Sequence, residues 1–259
     1  MNASGSTPPP AFEVRLATDP ADLLAAFRLR YAVFVTELGG DGPLVDHANG
    51  LETDRFDAAF DHLVLIDHTR ATGDHVVGVY RVLTDTAASA FGQFYSEDEY
   101  DLTPLRSSGR RLLELGRSCV HVDYRGSAAM YHLWHGLADY VSVHEIEILF
   151  GVASFHGTDP VTLAEPLSLL HHAHLAPEDL RVRSKIYQKM DLMPLSLIDR
   201  RAAMLATPAL IKAYLRLGGY VGDGAFVDHA FNTTDVCLVM DAARMNEGQR
   251  SIYTKARKT

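Results

Sequence analysis

Leu112-Leu113-Glu114-Leu115-Gly116-Arg117-Ser118-Cys119-Val120-His121-Val122 is apolar enough for a strand inside a sheet, yet it carries a glutamate and an arginine three positions apart. Burying either charge without a partner costs several kcal/mol, so the two must be paired or must face a cavity. In a regular strand, positions 114 and 117 point to opposite faces. Glycine inside a strand often marks a bulge, and a bulge at Gly116 would return both side chains to one face. A structural ion pair tying neighbouring strands satisfies this pattern, and so does a polar site where a sheet splays.

Outward from this strand, the hydrophobic periods describe a mixed α/β (α+β) chain. On the N-terminal side, residues 13–17 form a short strand. Thr18-Asp19-Pro20 then supplies a capping residue and a proline at the first helical position. Leu23, Leu24, Phe27, Tyr31, Phe34, Val35 and Leu38 follow at helical spacing, and Gly39-Gly40 ends the run. Residues 41–57 have no sustained period and read as an acidic loop. Strands at 62–67 and 75–83, joined through Thr72-Gly73-Asp74, make an antiparallel hairpin. After the central strand come a helix over 127–143, a buried strand over 147–153 and a helix from Thr158-Asp159-Pro160 to Leu175. A helical stretch broken by Pro208 and a last strand over 234–241 complete the order. Strands mixed with helices in this way predict a twisted mixed sheet with helices on both faces.

The 259 residues, 47% of them hydrophobic, can bury one large core. The expected organisation is a loose N-terminal tail over 1–11, one domain over 12–245 with a helical insertion at about 159–217, and a basic tail over 246–259. A formal charge of −9 argues against nucleic acid, which needs a dominant basic surface. No segment is long and apolar enough to span a bilayer, and the start has no signal-peptide pattern. Cys119 and Cys237 are too few for a disulfide framework, which predicts a cytoplasmic protein.

Other chemical candidates are weaker. His171, His172 and His174 occupy two helix faces without a carboxylate at ligand spacing, so no metal is expected. Ser154 lacks the flanking glycines of a nucleophile elbow, because Val152 and His156 hold those places. The glycine-rich run 218–224 follows a helix rather than a strand and reads as a flexible turn. Cys119 and His121 share a strand face, but a buried cysteine is usually a small apolar filler.

Four motifs, "LRYAVFVTELG" at 29–39, "ETDRFD" at 52–57, "YRVL" at 80–83 and "LELGRSCV" at 113–120, resemble in order and spacing the acyl-homoserine lactone synthases of the GNAT superfamily. Further stretches, from "FYSEDEYDL" to "LGGYVGDGAFVDHAFNTTDVCLVM", are similar over most of the chain to the L-ornithine N-alpha-acyltransferases of bacterial ornithine-lipid biosynthesis. The resemblance implies a GNAT fold with two central parallel strands that splay around a thioester arm. It also implies transfer of a 3-hydroxyacyl chain from acyl carrier protein to the alpha-amino group of L-ornithine. The 4'-phosphopantetheine of the carrier would be the donor arm, with no permanently bound cofactor.

Carried over by motif, Glu114 becomes the catalytic base, directly or through a water. Arg30, Phe34, Asp54, Asp57, Arg81 and Arg117 become substrate-binding residues, and Arg125, Gly126 and Ser127 the phosphopantetheine loop before a helix N-terminus. Arg30 or Arg81 would hold the acceptor carboxylate. Asp54 and Asp57 would either meet its side-chain ammonium or order their loop by pairing with Arg30, Arg81 or Arg117. The basic cluster Arg181, Arg183, Lys185 and Lys189 offers a docking surface for an acidic carrier. Two alternatives stay open: another amine acceptor (lysine, glutamine or S-adenosylmethionine), and a nonenzymatic lipid-binding protein. The cytoplasmic protein could also touch the inner membrane peripherally, with the basic C-terminal segment as the candidate contact.

Overall fold

Asp19 and Pro20 begin the first helix as their chemistry requires. In the computed structural model, which describes residues 9–245, the Asp19 carboxylate accepts the Ala21 N–H at 2.8 Å. The two expected tails lie at 1–11 and 246–259. Residues 1–8 and 246–259 are outside the described residues, whereas Ala11 is already tied to the sheet edge through Asp67 and His68.

Strand β1 (Phe12–Leu16) leads into helix α1 (Pro20–Arg30), which widens into a π-helical stretch, Tyr31–Glu37. Gly39 stops it with a left-handed φ of 74°. The buried stripe of α1 is Ala25, Ala26 and Leu29, continued by Val33, while Leu24 is exposed, so the helix packs through smaller residues than its apolar period suggests. Residues 41–57 contain no helix or strand beyond a bridge between Asp46 and Leu51. Strands β2 (Asp61–Asp67) and β3 (Val76–Thr84) form the expected antiparallel hairpin.

Helix α2 (Asp85–Phe91), strand β4 (Tyr100–Asp101) and helix α3 (Thr103–Arg106) follow, with a 3-10 turn at Tyr95–Asp98. The chain continues through strand β5 (Leu112–Val120), helix α4 (Ala129–Val143), strand β6 (Ile148–His156) and helix α5 (Ala164–His174). Asp159 does take the Val161 N–H, but it caps only a turn, and α5 starts at Ala164 rather than at Pro160. Strand β7 (Arg183–Ser184) and helices α6 (Arg200–Ala206) and α7 (Ala209–Arg216) come next, the two helices divided at Pro208. Strands β8 (Tyr220–Val221), β9 (Phe226–Asp228) and β10 (Thr233–Asp241) end the described chain. The run 218–224 is therefore not a free turn: β8, inside it, pairs with β10.

The main sheet runs β1-β2-β3-β5-β6-β10-β8, with β9 also on β10, and β5–β6 is its parallel strand pair. One face packs Tyr80, Leu113, Leu149 and Leu238 against Leu137, Leu167, Leu170 and Tyr214 of the helices after β5. The other face carries α1 and the Phe56, Phe94 and Tyr100 cluster. Helices on both faces of a mixed sheet match the architecture read from the sequence.

Candidate active site

Strand β5 parts from both neighbours, and the parting builds the site. Against β3 the register passes from Arg81↔Gly116 to Val79↔Cys119, so Arg117 and Ser118 together oppose Tyr80. This two-against-one bulge lies one step beyond Gly116, and the left-handed backbone falls on Arg117 itself, φ 48°. Glu114 and Arg117 consequently share a face, since both reach Tyr95. Against β6 the parallel pairing covers only Leu112–Glu114 with Ile148–Phe150. The strands then diverge where a Cβ on Gly151 would stand 2.1 Å from the Leu115 carbonyl oxygen.

The charges on that face form a compact network. Arg30 Nε donates to Glu52 at 2.5 Å, and its two terminal nitrogens grip Asp57 at 2.6 and 3.2 Å. Arg81 Nη1 donates to Asp54 and Asp57, each at 2.7 Å. Arg117 reaches Glu52 at 3.1 Å, Asp54 at 3.3 Å and the Tyr95 hydroxyl at 3.3 Å. Burial alone would raise all three carboxyl groups, but the surrounding guanidinium groups overcome it and hold Glu52, Asp54 and Asp57 below the ordinary range. Glu52 is a partner that the sequence reading passed over, although "ETDRFD" contains it. Arg30 and Arg81 are 0% exposed. Arg30 is bonded through all its nitrogens and Arg81 through Nη1, the Nε and Nη2 of Arg81 having no partner among the described residues. Both anchor the loop that carries Glu52, Asp54 and Asp57. Of the three arginines, Arg117 is the one at the cavity wall, below the Phe34, Tyr95 and Phe231 rings at 5.8, 5.2 and 5.1 Å.

Glu114 stands behind that wall. Its Oε1 accepts the Ser96 N–H at 2.6 Å and the Ser96 hydroxyl at 2.5 Å, and its Oε2 accepts the Tyr95 N–H at 2.7 Å. Burial pushes its carboxyl up to about 7 against the pull of these donors and of Arg81. Both oxygens hold the turn that presents Tyr95, and Glu114 does not line the cavity beside Arg117.

That cavity, about 900 Å³ and open to solvent, runs from Phe34 and Leu38 past Tyr95, Gly116 and Arg117 to Asp228 and Asp235. A narrower apolar slot between the parted strands, about 430 Å³, shares Arg117 and Ser118 with it and ends among Tyr80, Leu149 and Tyr214. A third groove, about 860 Å³, carries Val33, Cys119, Arg125, Met130 and Trp134 and shares Phe34 and Ser118 with the first. Arg125 lines this groove while pairing with Glu37 at 2.7 Å. Gly126 adopts φ 75°, and the Ser127 hydroxyl turns back to the Tyr124 carbonyl at 2.5 Å before α4 begins. The Cys119 thiol is buried and pushed up to about 12, which makes it an inert filler rather than a nucleophile.

A profile of the acetyltransferase (GNAT) domain matches residues 29–135. An L-ornithine N(alpha)-acyltransferase of Rhodobacter capsulatus is 62% identical over 249 residues, 95% of this chain and 96% of the relative. The chain belongs to the L-ornithine N(alpha)-acyltransferase family. Among solved structures, FeeM, an N-acyl amino acid synthase from uncultured soil microbes, superposes with a TM-score of 0.52 at 13% identity, covering 97% of this chain and 99% of its own. The CoA-dependent acyl-homoserine lactone synthase BjaI with SAM and isopentyl-CoA gives 0.52 at 13%, covering 95% and 89%. At such identities these likenesses bear on the fold alone.

In this N-acyltransferase the remaining sequence candidates have structural partners. His172 lies 3.0 Å from Asp191, Arg183 pairs with Asp223 and stacks on Tyr187, and Lys185 donates to the Glu97 carbonyl. The acyltransferase also contains a carboxylate group that the sequence reading did not assemble. One oxygen from each of Glu99, Asp228 and Asp235 lies within 4.8 Å of the other two; Asp228 and Asp235 line the Arg117 cavity, and Glu99 stands buried behind them.

Proposed function

We propose that this N-acyltransferase moves a 3-hydroxyacyl chain from the 4'-phosphopantetheine arm of acyl carrier protein to the alpha-amino group of L-ornithine, giving lyso-ornithine lipid. The parting of β5 and β6, with an apolar slot opening from the Arg117 cavity, is the observation that supports it most. In this reading the arm enters along the Arg125 groove, with the α4 N-terminus toward its phosphate. The acyl chain occupies the slot, and the amino acid fills the cavity with its carboxylate toward Arg117.

The amine nitrogen attacks the thioester carbonyl, the C–N bond forms, and the C–S bond breaks. The thiolate leaves and is protonated, while the nitrogen gives up the proton it carried into the amide. An alpha-ammonium group must first lose a proton; the guanidinium beside it favours the neutral amine, and solvent reaches the open cavity to take the proton. Glu114 acts in this reading by fixing Tyr95 and Ser96. Backbone N–H groups freed at the bulge face the developing oxyanion, a contact typically worth about 3 kcal/mol in the barrier. The sequence Arg125-Gly126-Ser127-Ala128, with one glycine, favours a carrier-borne arm over coenzyme A. None of the described helices is long and apolar enough to cross a membrane. The buried, unbridged Cys119 and Cys237 suit a cytoplasmic enzyme, its membrane contact being peripheral and through its product.

Purified protein is assayed with 3-hydroxyacyl carrier protein, and separately with the matching coenzyme A thioester, against ornithine, lysine, glutamine and S-adenosylmethionine. Ornithine-dependent thiol release with N-acylornithine detected by mass is the expected result, faster from the carrier protein. No acceptor raising thiol release above background would overturn it.

A further inference from the structure

The acidic trio differs from the arginine-linked carboxylates in one respect: none of its members is ion-paired with a cation among the described residues, although Arg117 is near enough to draw Glu99 and Asp235 down. Asp228 Oδ1 accepts the Ala230 and Phe231 N–H groups at 2.8 and 3.1 Å, which fixes it at the end of β9. Asp235 lies in β10 opposite Ser154 of β6 and Phe226 of β9 and is 4% exposed; the Ser154 and Thr233 side chains lie close to its carboxyl group, but its Oδ1 has no hydrogen-bond partner among the described residues. Glu99, 5% exposed, likewise has an unpartnered Oε2. No described lysine, arginine or histidine forms an ion pair with any of the three, whereas Glu52, Asp54 and Asp57 share three arginines. Buried carboxylates in that state demand a proton or a positive ligand. Asp228 and Asp235 form the wall of the cavity that Arg117 also lines.

We infer that Glu99, Asp228 and Asp235 are the receptor for the distal ammonium group of a diamino-acid acceptor, and that they set the preference for a basic amino acid over a neutral one. The inference rests on the reading that this cavity takes the acceptor. An ammonium group carries three N–H donors on a compact charge, which suits three converging carboxylate oxygens. Arg117, whose nitrogens also meet Glu52, Tyr95 and Asp54 at 3.1 to 3.3 Å, is the guanidinium that lines the same cavity and faces the carboxylate at the other end of the molecule. A divalent cation would satisfy the acids but would leave the paired arrangement of Arg117 and the trio without use. Asp54 and Asp57, the sequence's candidates for the ammonium, are occupied by Arg30, Arg81 and Arg117.

The test compares L-ornithine with L-2-aminopentanoate, the same carbon chain without the distal amine, using 3-hydroxyacyl carrier protein as donor. The wild type should prefer ornithine by at least 100-fold in kcat/KM. Asp235→Asn and Glu99→Gln should each cut that preference at least tenfold, chiefly through KM for ornithine. Ornithine, but not L-2-aminopentanoate, should raise the melting temperature of the wild type, and this shift should shrink in both variants, a readout available even if one variant turns over poorly. Equal use of the two acceptors by the wild type, or variants that keep its preference, would overturn the inference. Loss of the preference on adding EDTA would do so too, by assigning the trio to a metal. A wild type that acylates neither acceptor would instead defeat the underlying functional reading.

Discussion

At the scale of single residues, Glu114 and its neighbours decide what the central strand is for. Two backbone donors, Tyr95 N–H and Ser96 N–H, land on different oxygens of Glu114, and a glutamine offers an acceptor at only one of those places. Glu114→Gln should therefore cost about 1–3 kcal/mol, the price of a buried unmet donor, measured by urea unfolding, and should slow turnover by loosening Tyr95. A variant as stable as the wild type but slower at the chemical step would make the carboxylate the proton acceptor instead. Arg81 is held differently: it is buried, bonded to Asp54 and Asp57, and lies 4.2 Å over the Phe60 ring. Arg81→Leu takes one of two guanidinium partners from each of Asp54 and Asp57, which keep Arg117 and Arg30, and should destabilise by about 1.5–3 kcal/mol, with the loss visible as a fall in melting temperature.

At the scale of elements, the junction of β5 and β6 depends on one missing side chain. Gly151→Ala would drive a Cβ into the Leu115 carbonyl, so the strands must move apart. The expected result is destabilisation of about 1–3 kcal/mol together with a changed acyl-length preference, read by unfolding and by competition between thioesters. Asp19→Ala removes the α1 cap and should cost about 1 kcal/mol without altering acceptor choice. The elements readable from sequence were those with a long period or a capping pair: α1, the β2–β3 hairpin, β5, α4, β6 and β10. Helix α2 escaped because "DTAASAF" has no apolar stripe and is announced only by the Thr84 cap. Strands β4, β7, β8 and β9, of two or three residues each, are too short for a period of two to register. Arg117's neighbourhood was visible because charge inside an apolar strand is locally anomalous. The acidic trio was not, since Glu99 sits in an already acidic loop and meets Asp228 and Asp235 only after the sheet forms.

At the scale of the whole molecule, two sets of carboxylates drive stability in opposite directions with pH. Glu52, Asp54 and Asp57 are held low by arginines, so their contribution is complete above an unfolded-state value of about 4 and is lost as acid protonates them in the folded protein. Glu99, Glu114 and Asp235 are raised by burial, Glu114 to about 7 and Asp235 to about 6, and Glu99 feels Asp235 as well. Below about pH 4 both states of the chain hold these protons. Above it the unfolded chain releases them while the folded one keeps them up to its own higher values, so each rise in pH through that window favours unfolding. Stability without ligand should therefore peak near pH 5 and decline by on the order of 3 kcal/mol toward pH 8 from Glu114 alone. Urea midpoints across this range measure the decline, and Asp235→Asn should flatten its Asp235 component. Ornithine should do the same in the wild type, because a cation among the three acids removes the cost of ionising them. A stability that is level from pH 5 to 8 without any ligand would mean that the acids are compensated within the fold, and the case for an empty ammonium receptor would go with it.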